Sequence, residues 1–139
     1  MGHRRTGREC ALQMLYGRDI GGISDDEILR AYRVMDEISP YTREFAEQLF
    51  MGVAARMDEL DQLIQSHAKN WRLNRMAAVD RNVLRLAAYE LLSGEDSPGS
   101  AIINEAIELA RKFSTQDSAQ FVNGILDSIC KSLPGNTDQ

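Results

Sequence analysis

Three arginines stand within the first eight residues, Arg4, Arg5 and Arg8, with no acid among them. A guanidinium is planar and always charged, so it grips a phosphate through two parallel N–H donors. On a flexible arm leading into a helix, such residues can follow a phosphate backbone. A merely solvated terminus has the same composition. Further along, Phe121 lies between Gln120 and Asn123. An exposed ring there offers a nucleobase a stacking face, beside amides able to read base edges. The same ring also fits a core position.

Catalytic chemistry finds little support. Nucleophilic catalysis needs a nucleophile, a base and an orienting group brought together, yet the only imidazoles are His3, in a terminus read as mobile, and His67. Cys10 and Cys130 have no CxxC or HxxxH companion, so no zinc site is expected. Their separation leaves a disulfide or two buried thiols, and a reducing compartment favours thiols. Gly21-Gly22 lacks the lysine and preceding strand of a phosphate loop. Glu105 and Glu108 are i, i+3 neighbours of the kind found on solvated helix faces. The sequence reads as a binding protein without cofactor, not as an enzyme.

The net charge of -5 argues against nucleic acid until its distribution is followed. Residues 22–66 carry ten acids against four arginines, whereas Lys69, Arg72, Arg75, Arg81 and Arg85 face one acid, Asp80. Local field, not total charge, sets contact strength, so two basic regions on an acidic chain can still bind phosphate. No apolar run approaches the roughly 18 residues of a membrane span, and no signal-peptide pattern is present. A cytoplasmic chain is expected.

Helical periodicity must position these residues. Thr6 and Glu9 have capping-box spacing, which predicts a first helix over about 6–19 with Gly21-Gly22 as its stop. Ser24 to Glu27 repeats the signature and opens a second helix through Met35. Ser39-Pro40 reads as a cap followed by a first-turn proline. The third helix carries Phe45, Leu49, Val53 and Met57, and a phase shift in the apolar stripe predicts a break near Arg56. Trp71 falls in a connection. Apolar residues occupy most of the circumference over 73–92, as in a central helix contacted on several sides. Residues 93–100 read as a loop. A sixth helix runs from Ile102 to Phe113, and Ser114 or Thr115 caps a seventh that ends before Pro134-Gly135. No window alternates with period two. The expectation is an all-α, seven-helix domain over 1–139.

Three stretches together carry a resemblance. They are Arg4 to Tyr16 (RRTGRECALQMLY), Val79 to Leu92 (VDRNVLRLAAYELL), and Ile103 to Phe113 (INEAIELARKF) continuing into Asp117-Ser118 and Phe121 to Asp127 (FVNGILD). Their order and gaps resemble the NusB family of bacterial transcription antitermination factors along nearly the whole chain. The resemblance implies two three-helix bundles packed together plus a short extra helix, an N-terminal bundle over about 6–70 and a C-terminal one over about 71–133.

It also implies function. Family members bind single-stranded boxA RNA together with NusE, a small-subunit ribosomal protein. That complex joins the RNA polymerase elongation complex with other Nus factors and suppresses termination, notably on ribosomal RNA operons. Carried onto matching positions, the RNA surface comprises Arg4, Arg5, Arg8, Tyr16, Asp80, Asp117, Gln120, Phe121 and Asn123. Gln120 stands where relatives can carry lysine, which removes one phosphate contact. Some members form homodimers across the RNA-facing surface, so a helical interaction module without RNA binding is the alternative. An RNA cytosine methyltransferase carries the same fold at its N-terminus; a chain of 139 residues leaves no room for its methyl-donor domain.

Overall fold

The computed structural model describes residues 2–93 and 97–134, and every regular element among them is helical. In chain order these are α1 (Gly2–Gly21), α2 (Asp25–Arg33), α3 (Pro40–Ala55), α4 (Met57–His67), a 3-10 turn (Leu73–Arg75), α5 (Ala78–Ser93), α6 (Gly99–Phe113) and α7 (Gln116–Ser132). The expected all-α, seven-helix order is what is observed. The expected loop at 94–96 and the stop at Gly135 fall outside the described residues.

Local chemistry sets most boundaries as read. Gly22 takes φ +64, the left-handed conformation that ends α1 without a Cβ penalty. Ser24 and Glu27 form a complete capping box on α2. Ser39 caps α3 by accepting from the Thr42 amide, and Pro40 occupies the first turn. The break near Arg56 is real: α3 buries Ala46, Leu49, Phe50 and Val53, α4 buries Leu60 and Ile64, and Arg56 joins them outside helical geometry. Thr115 caps α7 by accepting from the Ser118 amide.

Three expectations are corrected. The first helix starts at Gly2, not near residue 6, so Thr6 lies inside it and caps nothing. Tertiary contacts override the local signal. His3 Nδ1 lies 3.1 Å from Thr42 Oγ1, the Arg4 guanidinium sits 4.8 Å over the Phe45 ring, and Glu9 accepts from Lys112 instead of turning back. The segment from Leu73 is not one helix: a 3-10 turn precedes α5, which begins at Ala78. The sixth helix starts three residues early, directly after Pro98, where a fixed φ suits entry into a first turn.

α5 is the axis. It packs against α1, α3, α4, α6 and α7, while α6 and α7 also pack on each other and α1 lies along α3. Its buried face extends around most of the helix, including Val83, Leu84, Leu86, Ala87 and Ala88. The buried apolar side chains form one continuous cluster. Close approach needs glycine at two points. A Cβ on Gly7 would come within 2.6 Å of Phe45 Cδ2, and one on Gly52 would collide with the Tyr89 ring. Cys10 and Cys130 are free buried thiols. No helix of the described residues is long and apolar enough to cross a membrane.

Candidate nucleic-acid interface

The N-terminal cations belong to the first turns of α1 and not to a separate arm. Arg4 and Arg8 stack on Phe45, at 4.8 and 5.5 Å from its centroid, a cation–π arrangement that fixes both. Arg5 makes a two-pronged contact with Glu105 of α6, Nε to Oε1 at 3.2 Å and Nη2 to Oε2 at 2.9 Å. These hydrogen bonds hold the Glu105 carboxyl below its ordinary range and raise the Arg5 guanidinium. Arg8 is buried. Its Nε and Nη2 each donate at 2.8 Å to Glu90 of α5. Burial opposes the charge on Arg8, and its bonds to Glu90 outweigh that effect. Arg4, Arg5 and Arg8 line, with Ser97, Ala101 and Glu105, an open groove of about 590 Å³ between the starts of α1 and α6.

Glu9 and Lys112, 2.8 Å apart, extend the α1–α6 seam toward the α6–α7 turn. Tyr16 lies two turns beyond Glu9 on the same stripe of α1 and is 42% exposed. Past that turn, a second pocket of about 320 Å³ gathers Asp80, Asp117 and Phe121 with Trp71, Arg75 and Ser118. Asp117 is exposed in the first turn of α7, where the helix dipole favours a carboxylate. Phe121 packs on the core and also lines this pocket, so the ring is both a packing group and part of an open surface. Its ring meets Trp71 edge to face, centroids 5.8 Å apart at 79°. Asp80, only 7% exposed, accepts from the Ser118 hydroxyl at 2.8 Å through Oδ2, while its buried Oδ1 has no donor.

Gln120 and Asn123 are exposed on α7 and do not line that pocket. At about 100° per residue, Asn123 sits about 160° around the helix from Phe121. Sequence adjacency therefore does not put these amides beside the ring.

The second basic region divides. Lys69, Arg72 and Arg75 are exposed, but Arg81 and Arg85 are buried in an ion cluster. Asp19 Oδ2 accepts from Arg81 Nε at 2.8 Å, Asn82 Nδ2 at 3.0 Å and Arg85 Nη1 at 3.1 Å. Arg85 also grips Asp61 with both prongs, at 2.8 and 3.0 Å. Burial would raise the Asp19 carboxyl; the hydrogen bonds from Arg81 and Asn82 and the nearby positive charges more than reverse this and lower it. Two of the five cations counted along the sequence thus serve the join of α1, α4 and α5. Side chains lining the Phe121 pocket that the sequence left unassigned include Trp71, Arg75 and Ser118. A tryptophan set among Lys69, Arg72 and Arg75 was the available signal.

The structure so defines an all-helical module whose surface combines fixed N-terminal cations with an aromatic, carboxylate-lined pocket. The chain belongs to the NusB family, whose sequence model matches residues 5–131. It is 49% identical to the transcription antitermination protein NusB of Geobacter sulfurreducens over 137 residues, covering 96% of this chain and 98% of that one. Among solved structures it is similar to NusB of T. maritima, at TM-score 0.84 and 39% identity, covering 93% of this chain and 91% of that one. It is also similar to a chain in a crystal structure of the antitermination factors NusB and NusE with dsRNA. There the TM-score is 0.81 and the identity 25%, covering 96% of this chain and 99% of that one.

Proposed function

We propose that this chain is a transcription antitermination factor that binds single-stranded boxA RNA together with NusE, acting by binding and not by catalysis. The observation that carries the reading is the pocket uniting Phe121, Asp80 and Asp117 across α5 and α7. It pairs a stacking face with acceptor groups, which is what recognition of an unpaired base requires. Arg4 and Arg5 supply positive charge at the far end of the α1–α6 seam, and Tyr16 lies between. Gln120 and Asn123 would meet RNA along a different face of α7. Arg8 acts by holding α1 against α5. The NusB relative solved with NusE and dsRNA supports both partner classes. Single strands are preferred here because a duplex keeps its bases stacked and away from such a pocket. In the cytoplasm, this complex would join the RNA polymerase elongation complex and carry it through terminators on ribosomal RNA operons.

A titration of labelled boxA RNA, scrambled RNA and boxA duplex, with and without NusE, tests this. Tighter binding of single-stranded boxA than of the other two, enhanced by NusE, is expected. Equal affinity for boxA and scrambled RNA in both conditions would overturn it.

A further inference from the structure

Trp71 is the only tryptophan of the chain, and it is 57% exposed. Exposure of so large an apolar ring is unusual for a residue with no role, and the connection carrying it is held firmly. The Trp71 amide donates to Ala68 O at 3.1 Å. The Gln65 side chain then bridges the next step of backbone, donating to Trp71 O at 2.6 Å and accepting from the Leu73 amide at 2.8 Å. The ring is presented on a braced segment, which lowers the ordering cost of binding.

Around it stand the parts of a base-sized site. Trp71 and Phe121 meet nearly at right angles, making a two-walled corner. Asp80 lines the same pocket, with one carboxylate oxygen buried and without a donor. Arg75 lines it too, and Arg72 is exposed nearby in sequence. Neither arginine pairs with an acid among the described residues, unlike Arg81 and Arg85.

We infer that Trp71 is a second stacking wall, and that the Trp71–Phe121 corner takes one unstacked nucleobase of the bound RNA. The base enters with an N–H edge toward Asp80, which lines the corner. Arg72 and Arg75 neutralise the flanking phosphates. This rests on the RNA-binding reading above and adds to it the braced connection between α4 and α5.

The single tryptophan makes the test direct. BoxA RNA is titrated into the full chain, alone and with NusE. Trp71 emission and its quenching by acrylamide are followed beside the anisotropy of labelled RNA, with Trp71→Phe as the blank. RNA should quench the emission and shield Trp71 from acrylamide, and an abasic nucleotide at one boxA position should abolish both effects. Trp71→Ala should bind roughly ten- to hundredfold more weakly, and Trp71→Phe should recover most of that loss. RNA bound by anisotropy with Trp71 unquenched and unshielded would overturn the corner while leaving RNA binding intact. Absence of binding to any RNA, with or without NusE, would overturn both. The shielding measurement uses the native chain, so it decides the matter even if Trp71→Ala does not fold.

Discussion

Arg8 and Glu90 are joined by two parallel hydrogen bonds of 2.8 Å, tying the second turn of α1 to the end of α5 with both side chains nearly buried. An isolated charge left in such a place is costly. Arg8→Ala should therefore destabilise the fold by about 3–5 kcal/mol, read as a drop in the urea midpoint at unchanged slope. Its effect on the salt dependence of RNA binding should be negligible. A stable Arg8→Ala variant with a reduced salt slope would make Arg8 a phosphate contact after all.

Arg4 and Arg5 carry the opposite expectation. If each contacts one phosphate of a single strand, replacing both with Ala should reduce the slope of log K against log salt by about 1.4, at roughly 0.7 per phosphate. The fold should survive, because Arg5 and Glu105 form a partly exposed pair, and such pairs contribute little stability. Binding isotherms at four or five salt concentrations decide it.

Phe121→Ala should weaken boxA binding by roughly 1–3 kcal/mol if a base stacks on the ring. Because Phe121 also packs against the core, the variant should lose some thermal stability. Affinity is best compared well below its melting temperature. Full affinity in the folded variant would confine Phe121 to packing.

Asp19 predicts a pH effect. Its carboxyl is lowered in the folded chain, so its contribution is present above the ordinary aspartate value of about 3.9 and is lost as pH falls through the folded value. Asp19→Asn should be less stable than the native chain at neutral pH, and the gap should close in strong acid. Urea midpoints from neutral pH down to below the carboxylate range would show the convergence. A constant gap would mean that the carboxylate charge is not what Arg81 and Arg85 need.

Gly52→Ala places a methyl group into the Tyr89 ring. Overpacking of this kind costs about 1–3 kcal/mol, so the melting temperature should fall, and Gly124→Ala, whose Cβ meets nothing within 4 Å, is the matched control.

The helices were legible because each start and stop is a local event: Ser24 with Glu27, Ser39 with Pro40, and Gly22. Thr6 and Glu9 misled for the same reason. The spacing was right, but Lys112 and Phe45, distant in sequence, fix the first turns instead. Charge was the least legible property. Arg72 and Arg81 look alike in sequence, and only packing reveals that one faces water while the other is spent on Asp19. Phe121 is visible in the sequence as a candidate ring, but the side chains that share its pocket are not. Helix rotation turns Asn123 away, whereas Trp71 arrives from another segment altogether.

The seam between α1 and α6 also has a consequence in time. Arg5, Arg8 and Glu9 find their partners 100, 82 and 103 residues later in the chain. At about 5–20 residues per second of synthesis, Arg5 waits on the order of five to twenty seconds for Glu105. A translation product halted before α5 would present Arg5 and Arg8 without Glu105 and Glu90, together with the apolar stripe that α5 covers. The finished groove thus exists only once α6 has been made, and shorter products expose apolar surface of the kind that chaperones hold.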